Sequence, residues 1–148
     1  MKEYIKDYIT TKVEEFDEDK QVYLCDLAGD LYEGDNMDGT LTYSRSEAEE
    51  WIGEHFWEMA ATIKYWKFNG GADMASSIAV DAFLNPEKGM SICVFAYVDA
   101  VINRMFSDCE KWDWNDQVRF GDVKEYLLEH LDEYVEKGCD EMDSYAED

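Results

Sequence analysis

Apolar positions recur along this chain with the spacing of helices. Tyr4, Ile5, Tyr8, Ile9, Val13 and Phe16 fall on one face of an amphipathic first helix. Leu24, Leu27, Ala28 and Leu31 mark a shorter second one. Residues 34–46 then form a turn-rich break, with room for a short extended piece near 40–43. Ser46 and Glu49 have capping-box spacing and open a long helix to Phe68, ended by Asn69-Gly70-Gly71. A further helix from Asp73 must stop before Asn85-Pro86, because the residue before proline is pushed out of the helical region.

From Met90 to Phe106 the chain is apolar nearly all round, the pattern of a helix buried at the centre of a domain. Gly121 to Lys137 is amphipathic again and is expected to close at Gly138. The expectation is therefore an all-α fold: five or six helices around the apolar helix at 90–106, in a single domain over 1–138, with residues 139–148 as a frayed acidic tail.

Composition agrees with a globular chain. In 148 residues there is one proline, 46% of the residues are apolar and 15% are aromatic. A chain of this length buries about 68–70% of the surface it exposes unfolded, enough for a core without staples. Cys25, Cys93, Cys109 and Cys139 are widely spaced with no C-x-x-C pair, and the start M-K-E-Y-I-K-D has no apolar signal region. Reduced thiols and a cytoplasmic location are expected. Asp99, Asn103 and Arg104 interrupt the most apolar segment and argue against a membrane span.

Charge changes the picture most. There are 36 acidic and 13 basic residues, a formal net charge of −23. About 2–8 charges suffice to keep a small domain soluble, and a larger excess destabilises the compact state by self-repulsion. The acid is concentrated at the two ends: residues 1–50 carry 15 acids and 5 bases, residues 51–120 carry 10 and 6, and residues 121–148 carry 11 and 2. Such a field repels nucleic acid and anionic membranes and attracts basic protein surfaces. Salt adaptation is a poorer account, because ten of the thirteen bases are lysine.

Enzymatic motifs are thin. D-N-M-D-G-T-L-T at 35–42 resembles the opening D-x-D-G-T motif of haloacid dehalogenase-like phosphatases, whose first aspartate is the nucleophile and second the general acid/base. Here the nucleophile position is Asn36, which cannot form an aspartyl-phosphate, and L-Y-E-G-D before it is no buried strand. No register of the same loop supplies the oxygen ligands of an EF-hand. Both histidines lie in E-H-x-x-E, at Glu54-His55-Phe56-Trp57-Glu58 and Glu129-His130-Leu131-Asp132-Glu133. Two such helices would suit a metal-dependent hydrolase, although carboxylate-bridged di-metal bundles use the reverse order, E-x-x-H.

The last helix carries the sharper signal. Glu125, Glu129, Asp132, Glu133 and Glu136 follow i, i+4, i+7, i+8, i+11, opposite Val123, Leu127, Leu131 and Tyr134. Like charges four apart cost about 0.2–0.5 kcal/mol per pair in a helix. Eleven helical residues span about 16 Å, over which one DNA strand presents roughly five phosphates. Asp35 and Asp38 add charge in a glycine-framed turn, and Trp112 and Trp114, set among acids in W-D-W-N-D, have the character of interface anchors.

These residues point to an acidic inhibitor without cofactor that occupies the nucleic-acid-binding surface of a basic protein. It would be a DNA mimic in the physical style of anti-restriction and anti-CRISPR proteins. An immunity or antitoxin-like protein neutralising a basic toxin is the rival expectation.

Overall fold

The computed structural model describes residues 1–33 and 43–147. The chain is all-α, with seven α-helices and one two-stranded ribbon among the described residues. The helices are α1 (Lys2–Glu15), α2 (Leu27–Glu33), α3 (Arg45–Glu54), α4 (Phe56–Gly70), α5 (Ala72–Leu84), α6 (Pro86–Asp108) and α7 (Phe120–Asp143). Strand β1 (Gln21–Tyr23) pairs antiparallel with β2 (Gln117–Arg119), with Val22 opposite Val118. The extended piece expected near 40–43 falls, but for Tyr43, outside the described residues.

The apolar segment is the central helix, as its pattern requires. Along α6, Met90, Val94, Tyr97, Val98, Val101, Ile102, Met105 and Phe106 are all buried, and α2, α3, α5 and α7 pack around it. It is long and apolar enough to cross a membrane, yet 67% of its most apolar window is covered by the fold itself. Its apolar surface is already used. It starts at Pro86, four residues before the expected position, because proline's fixed φ and missing N–H suit the first turn of a helix. The same residue ends α5 at Leu84, with Asn85 as the break.

Three further boundaries differ from the sequence expectation. The helix expected from Ser46 to Phe68 is two helices, and its cap is Ser44, whose hydroxyl accepts the Glu47 N–H at 3.2 Å. The break is at His55, whose backbone leaves the helical region (φ −119°, ψ 41°). Its ring Nδ1–H donates to the Trp51 carbonyl at 2.9 Å and its imidazole stacks on the Trp51 indole at 4.2 Å. Gly71 then turns α4 into α5 with φ 91°, a conformation that glycine adopts without strain.

The third correction is the C-terminus. Gly138 does not close α7, and residues 139–147 are not a frayed tail. The helix continues to Asp143 and a 3-10 turn follows over Ser144–Glu147. Cys139 and Met142 are buried, the Tyr97 hydroxyl donates to Asp143 at 2.6 Å, and Tyr145 packs edge-on against Tyr65. Gly138 is instead the point of closest approach between helices: a Cβ there would lie 2.8 Å from the Val101 Cα. A glycine that normally signals a helix end is here a packing residue.

Candidate protein-binding face

On α7 the buried set is Val123, Leu127, Leu131, Tyr134, Val135 and Met142. The opposite side carries Glu125, Glu129, Asp132, Glu133 and Glu136, all exposed, so the fold presents all five expected carboxylates to solvent. They are not equally free. Lys6 pairs with Asp132 at 2.6 Å, Lys2 bridges Glu136 and Asp140 at 2.9 and 2.8 Å, and Lys137 pairs with Glu133 at 2.9 Å. The Lys137 hydrogen bond holds the Glu133 carboxyl below its ordinary range, and the Asp140 and Glu136 hydrogen bonds raise Lys2. Glu125 and Glu129 make no salt bridge among the described residues. Pairs this exposed contribute about 0–1 kcal/mol each and exchange readily for other partners.

Those lysines reveal what the sequence hid. Lys2 and Lys6 reach the C-terminal half of α7, while Glu18, just beyond the other end of α1, pairs with Lys124 at 2.9 Å, and Asp19 pairs with Arg119 at 3.3 Å. Helix α1 therefore runs antiparallel to α7, buried along Ile5, Ile9 and Val13. Its outward side bears Glu3, Asp7 and Glu14, spaced i, i+4, i+11 and exposed. Two carboxylate rows, over a hundred residues apart in sequence, thus flank one seam stitched by Lys2 and Lys6. Glu3 and Asp7 were legible as the polar side of the first helix, but nothing in the linear pattern placed them beside α7.

The remaining candidates fall elsewhere. Trp112 and Trp114 are half-buried and packed on the core, the Trp112 ring meeting Tyr126 edge-on at 5.6 Å and Phe106 at 6.4 Å. Most of their apolar surface is already spent inside the fold. Asp35 and Asp38, with the whole phosphatase-like motif, lie outside the described residues. His55 stacks on Trp51, while His130 lies 4.3 Å from the Tyr126 ring and 3.8 Å from Glu133. The E-H-x-x-E at 54–58 is split by the α3–α4 break. Among the described residues, no group of three or more His, Cys, Asp or Glu is arranged to hold a metal ion. The four cysteines are free thiols, and burial pushes those of Cys93 and Cys139 up to about 12.

A polar cleft of about 280 Å³ lies where α4, α6 and α7 meet, lined by Tyr65, Asp99, Asn103, Arg104, Glu141 and Tyr145. Arg104 is held there by Glu141 at 3.0 Å. Desolvation raises the Asp99 carboxyl above its ordinary range, against a smaller lowering by the Asn103 hydrogen bond. A raised carboxyl is a cost to the folded state at pH values above its unfolded pKa, and the cost vanishes on protonation. Asp99→Asn should therefore stabilise the fold modestly at neutral pH. In urea denaturation, the gain should shrink as pH falls toward the ordinary carboxyl range; an equal gain at all pH values would rule out desolvation as its cause.

Comparison with protein-family models, with curated proteins and with solved structures finds no match. The functional reading therefore rests on the face itself.

Proposed function

We propose that this protein binds and blocks a basic, nucleic-acid-binding surface of another protein, with the α1/α7 face standing in for the phosphates of a nucleic acid. The observation that carries this reading is the antiparallel packing of α1 on α7, which sets two exposed carboxylate rows side by side. Helices in contact lie about 8–10 Å apart, between the roughly 6 Å and 12 Å widths of the two DNA grooves. Along α7 the row spans about 16 Å, a length over which one DNA strand carries roughly five phosphates. The charge excess of −23 supplies long-range attraction that accelerates encounter with a basic partner.

The test is capture of a partner from host lysate on the immobilised protein at low salt, followed by elution with salt and competition by duplex DNA. Affinity should fall by about tenfold or more between low and high salt. Charge reversal at Glu129→Lys, Asp132→Lys and Glu133→Lys together should abolish capture while leaving the helical circular dichroism unchanged, since all three side chains are exposed. Binding that is insensitive to salt, or that duplex DNA fails to compete, would sink the proposal.

A further inference from the structure

The hairpin of α4 and α5 has the opposite character from the acidic face. Phe56, Trp57 and Phe68 are 65%, 68% and 71% exposed, and on α5 Val80, Phe83 and Leu84 are 51%, 82% and 63% exposed. Helix α5 buries only Ala75, Ile78 and Asp81. Its far side reads Asp73, Ser76, Ser77, Val80, Phe83, Leu84, all exposed and at i, i+3, i+4, i+7, i+10 and i+11, the spacing of one helix face. Trp57 and Phe68 border the C-terminal turn, where Phe68 meets Tyr145 at 6.1 Å, so the continuous exposed apolar strip of the hairpin is the α5 one of Val80, Phe83 and Leu84. A standard interface buries about 800 Å² per partner.

We propose that this face is a self-association surface, occupied by the same face of a second copy of the chain. Two observations select that occupant. The first is charge. Residues 56–84 carry three acids, Glu58, Asp73 and Asp81, against two bases, Lys64 and Lys67, in a chain whose net charge is −23. Asp81 is itself buried and paired with Lys88. A second copy is repelled by the α1/α7 face of the first and meets almost no opposing charge here. A basic partner gains nothing from this face.

The second is shape along α5. The exposed strip is small and polar at its N-terminal half (Asp73, Ser76, Ser77) and bulky at its C-terminal half (Val80, Phe83, Leu84). A two-fold axis across the helix sets two copies antiparallel, so the bulky half of each lies against the small half of the other. This is the self-complementarity that an isologous interface requires. The acidic faces stay on the outside of such a pair, free for a basic partner. The inference does not depend on the inhibitor reading, and its salt response has the opposite sign: salt screens repulsion between two acidic copies, so dimerisation tightens as salt rises.

Analytical ultracentrifugation of the full chain, from low micromolar to submillimolar concentration and at low and high salt, tests it. The mass should move from 17.3 kDa toward twice that value, at lower protein concentration in high salt than in low. The neutral double variant Val80→Ser with Phe83→Ser should remain monomeric throughout and melt cooperatively, because both side chains are solvent-exposed. A wild-type chain that stays monomeric across the whole range overturns the proposal. So does a dimer that persists unchanged in the double variant, which would place the interface on another face.

Discussion

A chain cut after Gly138 should lose most of its stability. The removed segment includes Cys139 and Met142, 0% and 2% exposed, and truncation of one buried methionine side chain alone costs about 2–5 kcal/mol. The cut also strips the Tyr97 hydroxyl of Asp143, its acceptor at 2.6 Å, and Arg104 of Glu141 at 3.0 Å. An unsatisfied buried hydroxyl costs about 1–3 kcal/mol more. Against a total stability of about 5–15 kcal/mol for an ordinary domain, these losses leave the truncated chain marginal or unfolded. Thermal melts followed by circular dichroism decide the matter. A truncated chain melting within a few degrees of the full one would show that residues 139–147 are dispensable dressing rather than part of the core.

The second large effect is expected at Gly138 itself. In Gly138→Val the new Cβ would sit 2.8 Å from both the Cα and the Cγ2 of Val101 and 2.9 Å from its backbone nitrogen. Backbone atoms cannot swing aside as a side-chain tip can, so α6 and α7 must move apart along their longest contact. Overpacking of this kind costs about 1–3 kcal/mol, occasionally more, and a rigid backbone neighbour places this site at the upper end. Gly29→Ala and Gly53→Ala are the matched controls. Both are helical glycines with nothing within 4 Å of an added Cβ, and alanine there should stabilise by about 0.5–1 kcal/mol. Urea midpoints of the three variants separate the steric cost from helix propensity; a Gly138→Val variant as stable as wild type would mean that the two helices are not in contact there.

The same position shows where linear pattern misleads. Gly138 follows a lysine at the end of an amphipathic run, the usual signature of a helix C-terminus. What overrides it is a neighbouring helix, Val101 on α6, that no local window contains. Ser46 with Glu49 had the spacing of a cap, but Ser44 takes the role. The β1–β2 ribbon was invisible for a related reason: strands of three residues are too short for alternation to register, and their pairing joins positions almost a hundred residues apart.

At the candidate face, the α7 carboxylates could be read as one stripe because helical periodicity converts spacing directly into direction. The same rule applied to α1 yields Glu3, Asp7 and Glu14, but it says nothing about which helix lies beside them. The lysines were counted only as charge. Their positions turn out to matter more than their number, since Lys2 and Lys6 sit in the seam and lower the repulsion between the two rows.

The sequence by itself determined the all-helical class, the central place of the segment at 90–106, the exposed side of α7 and the net charge of −23. Each follows from a property local in the chain: a period of 3.6 residues, an unbroken apolar run, or a sum of charges. Only the tertiary structure decided that the carboxylates of α1 and α7 form one face, that Cys139 and Met142 belong to the core, and that Phe56, Phe68, Phe83 and Leu84 of α4 and α5 lie exposed. Those facts depend on which surfaces meet, and the free energy of meeting belongs to pairs of elements rather than to any single stretch.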